Sequence, residues 1–118
     1  MNATLTLANS AAALCSGLFS VAGALRPALP LGRGEQVTPA VDFYARAYAA
    51  RALPLSLVAL VMLTGGAGTT GAAAILIVLG AAQLGDLAIG AQRRIAGMAV
   101  CSGLGAVLHL ATAYWLLG

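Results

Sequence analysis

Residues 72–91 read AAAILIVLGAAQLGDLAIGA, twenty positions with one charge, Asp86. A helix of that length spans about 30 Å, the thickness of the hydrocarbon core of a bilayer. The run therefore reads as a membrane-crossing helix. Asp86 then sits inside the membrane, where a carboxylate costs on the order of 3 kcal/mol on insertion scales. A charge kept at that cost is a candidate for function.

Three further apolar runs flank this one. Span one covers about residues 5–25, span two 39–63 and span four 95–117, with the quoted run, 72–91, as span three. The breaks between them carry turn chemistry. Residues 27–38 (PALPLGRGEQVT) hold two prolines and two glycines, residues 64–71 (TGGAGTTG) hold no charge, and Gln92-Arg93-Arg94 makes a tight connection. Thr38 before Pro39 fits an N-cap followed by a first-turn proline. The expected fold is all-α: an integral membrane four-helix bundle, one domain over residues 1–118.

Composition agrees. The chain is 61% hydrophobic and only 8% charged, against about 25% charged for a soluble domain. Six arginines and no lysine are too few and too scattered for a nucleic-acid surface. The first run lacks a basic leader, so it reads as a retained helix. Cys15 and Cys101 fall in separate spans with no CxxC spacing, and His109 is the single histidine. No metal site is expected, and no cofactor. The cysteines read as small packing residues, with an interhelix disulfide as the alternative.

Arg26, Arg33, Arg93 and Arg94 all lie in the first and third connections, which share one side of a four-span chain. The positive-inside rule places those loops, residues 26–38 and 92–94, in the cytoplasm. Both termini are then extracytoplasmic, and the chain is expected as a multi-pass protein of the cell membrane. Tyr114 and Trp115 fit an outer aromatic belt. Small residues such as Gly80, Gly85, Gly103 and Gly105 allow close helix approach, within one bundle or in a homodimer.

Span two is the most polar, with Asp42, Tyr44, Arg46, Tyr48 and Arg51. Asp42 and Arg46 form an i,i+4 pair, while Tyr44, Tyr48 and Arg51 fall on roughly the opposite face. Pro54 cannot bond the Ala50 carbonyl and is expected to kink the helix. Counted from the cytoplasmic ends, Arg46 lies roughly 10 Å deep and Asp86 roughly 9 Å. That match predicts an intramembrane salt bridge between them. Arg51 at roughly 18 Å has no carboxylate at its level; its neighbours in depth are Gln83 at roughly 13 Å and His109 at roughly 21 Å. One face of span three (Gln83, Asp86, Gly90) and one of span four (Ser102, Gly105, His109, Thr112) are expected to line a cavity that Arg51 enters.

Residues 44–53 (YARAYAARAL), residues 83–90 (QLGDLAIG) and the Gln92-Arg93-Arg94 turn resemble a family of small four-span DoxX-like membrane proteins of unknown function. The family pattern has two arginines five apart in the second span and a Gly-Asp pair in the third. Here these are Arg46, Arg51, Gly85 and Asp86. An aspartate commonly follows the second arginine in that family; Ala52 stands there in this chain. The wider group suggests quinone- or lipid-linked roles, but this chain lacks redox cysteines.

The functional expectation is a site for a lipophilic small molecule taken from the lipid bilayer. Asp86, Arg51 and His109 are the candidate catalytic groups, and Arg46, Gln83, Tyr48, Tyr44 and Asp42 the candidate ligand contacts. Acid–base isomerisation, cyclisation or epoxide opening needs no cofactor. Two alternatives stay open: a proton-coupled small transporter working as a homodimer, and a structural or partner subunit of a membrane complex.

Overall fold

The structure is a computed structural model that describes residues 1–118. It contains four helices: α1 (Ala3–Leu25), α2 (Pro39–Thr64), α3 (Gly68–Gln92) and α4 (Ala96–Leu117). Each is long and apolar enough to cross a membrane, with mean hydropathy of 1.5 to 2.0 over its most apolar window. The expected spans hold to within a few residues. The largest change is at the start of α3, which takes up part of the expected 64–71 turn. The chain is an all-α, multi-pass membrane protein.

Local chemistry sets the helix ends. Asn2 accepts from the Leu5 amide at 2.9 Å and starts α1. Thr38 accepts from the Val41 amide at 3.2 Å, with Pro39 in the first turn where its missing N–H is no loss. α2 stops at Gly65 and Gly66, the latter at φ 79°, where the Ala67 amide reaches back to the Met62 carbonyl. α3 stops by the same reversal. The Ile95 amide bonds the Gly90 carbonyl at 2.8 Å and the Arg94 amide bonds the Ala91 carbonyl at 3.2 Å. Here the left-handed residue is Arg94, at φ 56°.

The helices pack as two hairpins. α1 lies along α2 and α3 along α4 in extensive contact, whereas α2 meets α3 and α1 meets α4 only lightly. Close approach in the second hairpin requires glycine. A Cβ on Gly90 would stand 2.8 Å from the backbone nitrogen of Ala99. A Cβ on Gly80 would stand 2.5 Å from Leu110 Cγ.

The apolar core is concentrated at one end. Ala13, Ala59, Leu63, Ala72, Ile75, Leu76, Leu79 and Ala113 form one buried cluster near the α2–α3 turn and the chain termini. Toward the other end the hairpins open. No α2 residue from 39 to 55 is buried, and no α3 residue from 81 to 89. Cys15 and Cys101 are exposed and unpaired, so the disulfide alternative is not realised.

Candidate functional site

Intramembrane polar groups gather in two places, one at each light contact between the hairpins. The first lies in the open half. The Tyr48 hydroxyl of α2 donates to Asp86 Oδ2 of α3 at 3.0 Å. Ser16 of α1 is beside the same hydroxyl. Tyr48 is 42% exposed and Asp86 partly so. A carboxylate and a phenol thus meet in the membrane with one face open, and Oδ1 of Asp86 makes no bond to the protein.

The expected Arg46–Asp86 salt bridge is not formed. Arg46 Nε instead pairs with Asp42 Oδ2 at 3.1 Å, along α2 itself. Depth alone is the reason for the error. Arg46 and Tyr48 are two residues apart and so point about 200° apart around the helix. Tyr48 faces α3; Arg46 therefore faces away from it, with its side chain 72% exposed. The bond to Asp86 comes from the tyrosine, a residue the depth count passed over because it carries no charge.

Arg51 is exposed and makes neither an ion pair nor a hydrogen bond with the protein. It lies one turn along α2 from Tyr48, at i+3, on the neighbouring face. Tyr44 is 69% exposed and packs edge-on against Phe43, with ring centroids 5.3 Å apart. Gln83 turns toward α4: its Cδ lies 3.2 Å from where a Cβ on Gly105 would stand. Along the expected Ser102, Gly105, His109 and Thr112 stripe, Gln83 covers Gly105 and the other three residues are buried, while Arg51 stands exposed on α2.

The second polar cluster joins α1 to α4. His109 Nδ1 and Asn9 Oδ1 are 2.8 Å apart. Asn9 Nδ2 donates to Thr112 Oγ1 at 3.1 Å and to the Leu5 carbonyl at 2.9 Å. Thr112 Oγ1 donates in turn to the Leu108 carbonyl at 2.8 Å. Asn9 and His109 are fully buried. Asn9 escaped the sequence reading, although it stands in register with Ala13, Gly17 and Ser20, at i, i+4, i+8 and i+11 on α1. An amide on that small-residue face was the available signal. His109 is therefore held by α1, well along the bundle from Asp86. The two are not parts of one constellation.

Two grooves open on the outer surface. One, of about 610 Å³, runs between α3 and α4 and is apolar, lined by Leu84, Leu87, Val100, Gly103 and Val107 among others. The other, of about 690 Å³, lies between the start of α1 and the end of α4 and includes Asn2, Leu5, Leu108, Thr112 and Trp115. Neither is lined by Asp86, Arg51 or His109.

Comparison with family models, with curated proteins and with solved structures finds no match.

Proposed function

We propose that the protein binds a lipophilic small molecule from the bilayer at the open joint between α2 and α3. The observation that carries this reading is the Tyr48–Asp86 hydrogen bond in the stretch where α2 (39–55) and α3 (81–89) bury no residue. A molecule entering from the lipid meets a carboxylate oxygen without a protein partner and a phenol that can turn to donate to it. Arg51, free of protein partners, is placed on α2 to take an anionic or carbonyl oxygen of the same ligand.

The chemistry open to such a site is acid–base. Asp86 exchanges a proton with the ligand while Tyr48 or Arg51 stabilises charge developing on its oxygen. Isomerisation, cyclisation and epoxide opening fall within that scope. His109, Tyr44 and the Asp42–Arg46 pair stay outside it. By the positive-inside rule, the site lies in the cytoplasmic half of the membrane, nearer the Arg26–Thr38 and Arg93–Arg94 connections.

A second reading gains from the Arg46–Asp42 pairing. With Arg46 engaged elsewhere, the partner of Asp86 is a neutral phenol. No cation is then ion-paired with Asp86, which suits the reversible protonation that a proton-coupled transporter requires. Substrate-dependent proton flux in vesicles separates this reading from the first.

The test of the binding site is native mass spectrometry with extraction of bound lipophiles. Wild type is compared with Asp86→Asn, Tyr48→Phe and Arg51→Ala. A species retained by wild type and lost from folded variants supports the site. A folded wild type that carries nothing, and variants that behave identically, would remove it.

A further inference from the structure

The hydrogen bonds around His109 determine which ring nitrogen carries the proton. Thr112 Oγ1 spends its hydrogen on the Leu108 carbonyl, so toward Asn9 it can only accept. Asn9 must therefore present its amide hydrogens to Thr112 and to the Leu5 carbonyl, which leaves Oδ1 as an acceptor. His109 Nδ1, 2.8 Å from Oδ1, is then the protonated nitrogen. No carboxylate lies within salt-bridge distance to balance an imidazolium. The ring is neutral, and Nε2 bears a lone pair.

That lone pair has no partner. His109 is fully buried, and Nε2 makes no hydrogen bond. Ser10 Oγ is also buried without one, but a serine hydroxyl can rotate toward the carbonyl one turn back. An imidazole held by Asn9 cannot turn to find a substitute. The groove between the start of α1 and the end of α4 approaches the same cluster, since Thr112 is part of its lining. The walls beside it, Leu5, Leu108, Ala111 and Trp115, are apolar, and α1 and α4 are in only light contact there.

We infer that this seam is a second binding site, separate from Asp86, in which His109 Nε2 accepts a hydrogen bond from the hydroxyl of a lipophilic alcohol. The polarity of the relay sets the class of ligand. A bare lone pair takes an O–H donor and rejects a ketone, an ester or a quinone oxygen, which have no hydrogen to give. An ammonium is disfavoured because no anion stands at this level. A buried water supplies the same O–H chemistry and is the competing occupant.

The experiment uses the untagged full chain in nanodiscs with nitrogen-15 in its single histidine, so that one pair of ring signals reports on the site. The probes are dodecanol and its methyl ether. The expected result is a protonated Nδ1, an unprotonated Nε2 whose signal moves upfield and saturates with dodecanol, and binding about tenfold weaker for the ether, the worth of one hydrogen bond. His109→Phe, if folded and followed by the fluorescence of the single tryptophan, Trp115, in the groove wall, binds both probes alike. An Nε2 already hydrogen-bonded before any alcohol is added, and unmoved by it, means that water fills the site and overturns the proposal. So does an equal response to the ether, or a proton found on Nε2.

Discussion

Tyr48 and Asp86 are 3.0 Å apart across a joint where their helices otherwise barely touch. At the other light joint, between α1 and α4, the Asn9, His109 and Thr112 contacts are buried. At the Tyr48–Asp86 joint the hydrogen bond spans an opening. A side-chain hydrogen bond between membrane helices averages roughly 0.6 kcal/mol. That is enough to bias the joint toward contact, and too little to hold it against a ligand that offers equivalent bonds.

Tyr48→Phe should accordingly leave the fold intact. We expect a loss of roughly 0.6 kcal/mol, at most about 1.7, in unfolding measured in detergent micelles, together with a clear drop in retained lipophile. A loss of several kcal/mol would instead make the pair a structural bolt.

Asn9→Ala should cost more, although no charge is removed. It leaves His109 Nδ1 and Thr112 without their buried partner, and an orphaned buried polar group costs about 1–3 kcal/mol. Arg51→Ala, at an exposed position without an ion pair or hydrogen bond to the protein, should stay within about 0.5 kcal/mol of wild type. Parallel denaturation curves for the two variants test the ranking; a reversed order would mean that the α1–α4 cluster is dispensable.

Two glycines of α3 should respond in opposite ways to the same added methyl. Gly90→Ala drives a Cβ against the backbone of Ala99, which has no rotamer to yield. The expected cost is about 1–3 kcal/mol, with the α3–α4 hairpin forced apart. Gly85→Ala meets nothing within 4 Å and should be neutral or stabilising by up to about 1 kcal/mol through helix propensity. Melting temperatures of the pair, measured side by side, would show the contrast.

Arg94→Gly should stabilise the reversal between α3 and α4. A left-handed backbone costs an L-residue with a side chain about 1–2 kcal/mol, and Arg94 holds φ 56°. The gain in unfolding free energy should come with weaker orientation control, read by cysteine accessibility from either side of the membrane, because one of four loop arginines is gone. Unchanged stability would show that the arginine side chain compensates its backbone through contacts at the membrane surface. Its neighbour Arg93 already has a partner, Glu35, at 2.7 Å.

The four helices were legible in the sequence because membrane spanning is a one-dimensional property. Length, hydropathy, the turn residues at 64–71 and 92–94 and the Thr38 cap all act locally. The intramembrane polar residues were legible for a similar reason, since cost in hydrocarbon depends on residue type. Their partners were not. Depth along a helix follows from counting residues, and it brought Arg46 level with Asp86. Azimuth follows from which faces the neighbouring helices take, and that turned Arg46 toward Asp42 and Tyr48 toward Asp86. The same decision joined His109 to Asn9, 100 residues earlier in the chain. The sequence by itself determined how many helices cross the membrane and which polar groups they carry. Only the tertiary structure decided which of those groups meet, because hydrogen bonds act over about 3 Å and helix rotation moves a side chain farther than that.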